Sequence, residues 1–274
     1  MSPAPFRIIT AAATDVGLRR SGNEDSFSLW SDDGGGAHAA DTLLVVCDGM
    51  GGSNAGEVAS RMAVDTVMRE LKAAAPDDTA TALAHAVLEA NREIWDYSRT
   101  RAELNGMGTT CTVLALKGDA ALVAHVGDSR AYLVRGQQAR QITTDHSLVA
   151  QLVARQQLTP EEARHDPRRN VVTRSVGVAP EVEVDVVAVG EPLRDGDTLV
   201  VCSDGLHGQV SDGEIAALAV GESLDEACRG LIALANERGG PDNITVALAR
   251  FERGGPAGNP IGRWLRSLGG RREG

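Results

Sequence analysis

Three observations in this 274-residue chain predict an α+β fold of two packed antiparallel sheets with helices outside both. Short apolar runs with strand character lie at both ends and through the middle. Two stretches of helical periodicity, each long enough for a pair of helices, fall between those runs. No internal repeat or composition shift divides the chain, so one domain over residues 1–251 is expected, followed by a basic tail over 252–274.

The elements follow in order. Phe6 to Ala13 and Ser26 to Trp30 read as strands, and the Gly34-Gly35-Gly36 stretch as a flexible hairpin connection to a third strand, Thr42 to Cys47. From Ala55 to Ala73 the residues Val58, Met62, Val67 and Leu71 recur at helical spacing, and Ala80 to Tyr97 gives a second helix. Thr109 to Leu116, Ala121 to Val126, Ala131 to Val134 and Ala139 to Ile142 predict an antiparallel meander. Ser147 to Arg169 breaks the pattern as a polar helical insertion, with Thr159 as N-cap, Pro160 at the first helical position and Glu162 three residues past the cap. Strand character resumes at Glu181 to Val189 and Thr198 to Cys202. Helices are expected over Ser211 to Ala219 and Ser223 to Asn236, the latter opened by a Ser223/Glu226 capping box, and Ile244 to Phe251 closes the domain.

Composition narrows the function. A formal net charge of -11 repels nucleic-acid phosphates and suits cation binding. The cysteines Cys47, Cys111, Cys202 and Cys228 have no zinc or redox spacing and read as small buried hydrophobes in a reducing compartment. Neither a signal peptide nor a membrane-spanning apolar segment is evident, so a cytoplasmic protein, monomeric and without a transmembrane segment, is expected. In the tail, Ile261, Trp264, Leu265 and Leu268 stand at helical spacing among arginines, but a helix of about a dozen residues is marginal alone and a mobile tail is expected.

Asp48, Asp128 and Asp204 each follow an apolar run, and Asp242 precedes one in the turn Gly239-Gly240-Pro241-Asp242-Asn243. Carboxylates lifted onto sheet ends can converge from distant parts of a chain. Unpaired, they would repel one another, and a hard cation resolves the repulsion. Oxygen ligands without clustered His or Cys favour magnesium, manganese or calcium. The spaced Asp/Asn loop ending in Glu that local calcium sites use is absent.

The motifs Arg20-Ser21-Gly22-Asn23-Glu24-Asp25, Val46-Cys47-Asp48-Gly49-Met50-Gly51-Gly52, Gly106-Met107-Gly108-Thr109-Thr110, Val126-Gly127-Asp128-Ser129-Arg130, Cys202-Ser203-Asp204-Gly205-Leu206 and Pro241-Asp242-Asn243-Ile244-Thr245 occur in that order. Together they resemble the metal-dependent protein phosphatase (PPM, type 2C) family of serine/threonine phosphatases, over about nine-tenths of the chain. The resemblance implies an αββα sandwich with a dinuclear Mn2+ or Mg2+ centre at one edge of the sheets. By it, Asp48 bridges the ions, the Gly49 carbonyl ligates one, Asp204 and Asp242 hold the other, Asp25 acts through water, and Arg20 grips the substrate phosphate. Bacterial members hold a third, weaker ion at the positions of Asp128 and Asp204. The insertion, about residues 147–174, matches the family's flap beside the active site.

The chemistry supports such a role. A phosphate monoester dianion repels hydroxide, and a pair of cations both activates a bridging water for in-line attack and neutralises charge. Arg20 offers a planar fork of donors that matches phosphate oxygens, which a lysine does not reproduce. One departure stands out. The eukaryotic branch usually has His after its Asp-Gly, whereas this chain, like bacterial relatives, has Met50. The general acid is then expected to be water held by the ions, with His146 a second candidate whose bland reading is a structural histidine at the flap base. Phosphorylated Ser/Thr proteins, including a cognate kinase, are the expected partners. Two alternatives remain: a phosphatase dedicated to one regulatory phosphoprotein, such as an anti-sigma antagonist or a secretion-system component, and a pseudophosphatase that only binds.

Overall fold

The computed structural model describes residues 6–32, 38–51, 55–75 and 78–253, so the expected connection at Gly34 to Gly36 and the tail lie outside the described residues, the tail from residue 254 onward. Two antiparallel sheets form the centre. In the first, β1 (Phe6–Asp15) pairs with β11 (Ile244–Arg253), β11 with β10 (Thr198–Cys202), β10 with β7 (Arg130–Arg135) and β7 with β8 (Gln138–Gln141). In the second, the order is β2 (Asp25–Ser31), β3 (Thr42–Met50), β5 (Cys111–Lys117), β6 (Ala120–Val126) and β9 (Asp185–Ala188), with the short β4 (Gly108–Thr109) added to the end of β3.

Helices cover both outer faces. Leu43, Val45 and Cys47 of β3 pack toward α1 (Ala55–Ala73) and α2 (Thr79–Ser98), whereas Leu44 and Val46 point to the other sheet. A strand buried on both faces needs apolar residues at every position, which is why this run does not alternate with polar ones. On the other side Val200 and Cys202 of β10 pack with α6 (Asp212–Ala219) and α7 (Leu224–Glu237), while Leu199 and Val201 join Ala247 and Phe251 between the sheets. The result is the αββα sandwich expected from the sequence.

Four local expectations need correction. The strands from 109 to 142 do not make one meander, because β5 and β6 belong to one sheet and β7 and β8 to the other. Gly127, at φ +115°, turns the chain across; a Cβ there would fall 2.6 Å from the Thr110 side chain, so glycine alone fits. The strand expected over Thr109 to Leu116 breaks at Thr110, which bonds the Asp48 backbone twice: its N–H donates to the Asp48 carbonyl at 2.8 Å and its Oγ1 accepts from the Asp48 N–H at 2.9 Å. The strand expected over Glu181 to Val189 contracts to β9. Finally, a short helix, α5 (Asp204–His207), follows β10 where none was expected.

The insertion folds as α3 (Leu148–Ala154) and α4 (Pro160–His165), and the Thr159/Glu162 capping box forms in full. At α7 the Ser223 hydroxyl accepts from the Glu226 N–H at 3.3 Å, while a reciprocal pairing appears at α6, where Glu214 Oε2 accepts from the Ser211 N–H at 3.0 Å and hydroxyl at 2.6 Å. No helix among the described residues is long and apolar enough to cross a membrane.

Candidate active site

The site is built where strands of both sheets end on the same side. Asp25 opens β2 and stands opposite Asp48 in the β2–β3 ladder. Asp48 and Gly49 lie within the last residues of β3, not in the turn beyond it. Asp128 sits in the crossing between β6 and β7, Asp204 is the first residue of α5 after β10, and Asp242 stands in the turn before β11, where Gly239 and Gly240 both have positive φ. Sequence reasoning placed these residues in one site, and the fold brings them to one end of the sandwich.

Gly49 shows why small residues are needed here. A Cβ on it would overlap the Gly56 carbonyl at the start of α1 and lie 2.6 Å from the Glu24 carbonyl, which already accepts from the Gly49 N–H at 3.1 Å. Gly205 is hemmed in the same way by the Asn243 carbonyl. The close approach of these backbones packs acidic side chains from four segments together.

Electrostatics follow from that packing. Burial pushes the Asp25 carboxyl up to about 7, opposed by the Ser203 and Thr245 hydroxyls and reinforced by the charges of Asp204 and Asp242. Asp128 rises to about 7 and Asp204 to about 6, again through burial first and neighbouring carboxylates second. Asp48 is raised as well, by burial first and then by Asp25, Asp204, Asp128 and Asp242 together. Several carboxyls raised at once mark a site short of positive charge.

The unmet demand has an atomic location. Asp25 Oδ2 accepts from the Ser203 hydroxyl at 2.8 Å, but its Oδ1, like Asp204 Oδ1, is buried without a hydrogen-bond partner among the described residues. Buried, orphaned carboxylate oxygens in an oxygen-only donor set fit a hard divalent cation. No three His, Cys, Asp or Glu side chains among the described residues form a ready ligand cluster.

Arg20 is the cation at the rim. Its Nη2 donates to Asp242 Oδ2 at 2.7 Å, and the guanidinium is half exposed, so it can reach a ligand from solvent. The loop that carries it is clamped by Asn243, a residue sequence reasoning quoted but gave no role. Asn243 Oδ1 accepts from the Glu24 N–H at 2.8 Å, and its Nδ2 donates to the Val16 carbonyl at 2.8 Å and the Gly22 carbonyl at 2.9 Å. Ser203, Thr245 and Thr110 were missed as well; Ser203 Oγ accepts from the Thr245 N–H at 2.9 Å while orienting Asp25. The available signal was a polar residue next to or inside an otherwise apolar strand.

The insertion is tied to the site backbone at both ends. The His146 N–H donates to the Gly127 carbonyl at 2.7 Å, and His146 Nδ1 accepts from the Gly127 N–H at 3.0 Å, one residue before Asp128. On its return the chain bonds Thr109, whose N–H donates to the Val176 carbonyl at 3.0 Å. The other His146 nitrogen meets Asp185 Oδ2 at 3.1 Å, and burial lowers its pKa. With both ring nitrogens engaged, His146 anchors the insertion and is a poor donor to a leaving group. Beneath it Arg130 Nη2 donates to Asp145 at 2.7 Å, and the His207 ring bonds the Asp128 carbonyl at 2.9 Å.

Comparison with known proteins agrees with this geometry. The family model described as Protein phosphatase 2C matches residues 19–248. The serine/threonine phosphatase stp of Listeria monocytogenes is 38% identical over 240 residues, covering 86% of this chain and 92% of that protein. Among solved structures, the serine/threonine phosphatase PstP/Ppp of Mycobacterium tuberculosis superposes with a TM-score of 0.79 at 37% identity, covering 89% of this chain and 99% of that one. The PstP catalytic domain in complex with 2 manganese ions gives a TM-score of 0.78 at 36% identity over 90% of this chain and 99% of that one.

Proposed function

Because this chain belongs to the protein phosphatase 2C family, we propose that it removes phosphate from phosphoserine and phosphothreonine in proteins, opposing a serine/threonine kinase in the bacterial cytoplasm. The observation that carries the reading is the set of carboxyls, buried at Asp25 and Asp128 and half-buried at Asp48 and Asp204, all raised in pKa and two of them with orphaned oxygens, beside Arg20. All four described cysteines are buried and unpaired, which suits a reducing compartment.

In this reading Asp48, the Gly49 carbonyl, Asp204 and Asp242 hold two divalent ions, and Asp128 with Asp204 holds a weaker third. When bound, the ions would neutralise the phosphate dianion and lower the pKa of a water toward neutrality, so that it can attack phosphorus. The remaining work falls to the chain. Asp25, held by the Ser203 hydroxyl, keeps one carboxylate oxygen to orient and accept a proton from site water. Arg20 donates to two phosphate oxygens at once and fixes the ester in line. The Asn243 clamp holds Arg20 and Asp242 in one register, so that the phosphate meets both the guanidinium and the ions.

The deciding experiment is hydrolysis of a phosphothreonine peptide by chelator-stripped protein titrated with manganese and then magnesium, with Asp48→Asn in parallel. Metal-dependent turnover that is lost in the variant supports the reading. Metal binding without turnover would make the protein a binding module.

A further inference from the structure

The described residues leave six large hydrophobic side chains exposed, and four of them, Val16, Leu18, Val171 and Val178, belong to segments bonded to the active-site backbone. Scattered exposed aliphatics are ordinary on a protein surface, so what singles these out is the backbone that holds them. Val16 and Leu18 sit on the clamped loop before Arg20: the Val16 carbonyl accepts from Asn243, and the Leu18 N–H donates to the Gly240 carbonyl at 2.8 Å. Val171 lies on the insertion, and its carbonyl accepts from the Leu148 N–H at 2.8 Å. Val178 leans over Gly108, where a Cβ would fall 2.5 Å from Val178 Cγ2 and 3.7 Å from Met50 Cγ.

Leu18 is the most exposed of the set, at 64%. Its backbone is fixed in place, so the side chain is presented to solvent by a held segment. Only Arg19 stands between it and Arg20, so the two Cα atoms are at most about 7 Å apart. A peptide whose phosphate is gripped by Arg20 must continue past the phosphorylated residue, and its neighbours one or two positions away lie at the same distance. The occupant of this apolar rim is therefore the substrate chain itself.

Resting on the phosphatase reading, we infer that Leu18 is a specificity-determining residue that selects phosphorylated segments carrying an aliphatic side chain within about two positions of the phosphoserine or phosphothreonine. Such a side chain would cover Leu18 and remove apolar surface of both partners from water. A small phosphoester lacks it and cannot report the contact.

The test uses full-length protein with manganese and a set of phosphothreonine peptides in a Gly/Ser background, in which a single leucine is walked from three positions before the phosphothreonine to three after. p-Nitrophenyl phosphate is the small-substrate reference. Leucine within two positions is expected to raise kcat/KM by about fivefold over the leucine-free peptide, a modest gain for an open rim. Leu18→Ser should erase that gain while leaving turnover of p-nitrophenyl phosphate and the leucine-free peptide unchanged, because the Leu18 N–H still bonds Gly240. Leu88→Ser, which alters a comparably exposed aliphatic on α2, should keep the gain. No preference for leucine, or a preference that survives Leu18→Ser, overturns the assignment. Absence of turnover with every substrate would instead sink the phosphatase reading, and this inference with it.

Discussion

Asp25 and Asp48 face each other as a register pair at the end of the β2–β3 ladder, and burial raises the pKa of both. Two carboxyls at one point of a sheet are unstable company when both are ionised. The neighbouring Asp204 and Asp128 deepen the conflict, so the same arrangement that attracts cations destabilises the metal-free fold.

The first prediction concerns pH. In the unfolded chain these carboxyls titrate near 3.8, whereas in the folded chain Asp25 and Asp128 titrate at about 7 and Asp204 at about 6. The folded state holds more protons between those limits, so its stability is greatest below the lower value and falls as pH rises through the upper ones. Chelator-treated protein should lose on the order of a few kcal/mol between about pH 5 and pH 7.5 from these groups. Added manganese should restore more stability at pH 7.5 than at pH 5. Urea midpoints that ignore both pH and manganese would show that the carboxyls do not share one site.

Asp48→Asn separates stability from turnover. Removing this charge relieves Asp25 and Asp204, so the chelator-treated variant should unfold at higher urea than wild type at pH 7.5. Turnover of phosphopeptide should fall by about 10²-fold or more, the scale on which charge-stabilising groups act. A variant that is both destabilised and active would contradict the electrostatic account of this residue.

Arg20 tests geometry against charge. Arg20→Ala should chiefly raise KM for phosphopeptide, since ground-state binding is lost. Arg20→Lys keeps the charge but not the fork, and should recover only a small part of the loss. The Arg20 to Asp242 ion pair is too exposed to matter much for folding, so melting temperatures of both variants should stay close to wild type. Full rescue by lysine would reduce Arg20 to a point charge.

How much of this site was legible in sequence depends on how local each signal is. Asp48 and Asp204 could be found because each closes a run buried on both faces, and such runs, Leu43 to Cys47 and Thr198 to Cys202, are written in consecutive residues. Asn243 and Ser203 carry their meaning in partners more than a hundred positions away, Glu24 and Asp25, and no short pattern announces that. The meander was misread for a similar reason. Short apolar runs mark β6 and β7 as strands, yet the sheet each joins is decided by the left-handed turn at Gly127 and its contact with Thr110.

Asn243 gives the last prediction. It is almost fully buried, at 4% exposure, and its side chain makes three hydrogen bonds to the backbone of the loop from Val16 to Glu24. Asn243→Ala leaves one N–H and two carbonyls in search of partners, a cost of about 2–4 kcal/mol that should show as a lower urea midpoint. The loop that loosens also carries Arg20, so kcat/KM should fall for p-nitrophenyl phosphate and phosphopeptides alike, whereas Leu18→Ser affects only the leucine-containing peptides. That contrast distinguishes a residue that positions the phosphate grip from one that reads the surrounding chain. Should Asn243→Ala lose stability yet keep wild-type turnover of p-nitrophenyl phosphate, the clamp would be structural only, and Arg20 would find the phosphate without it.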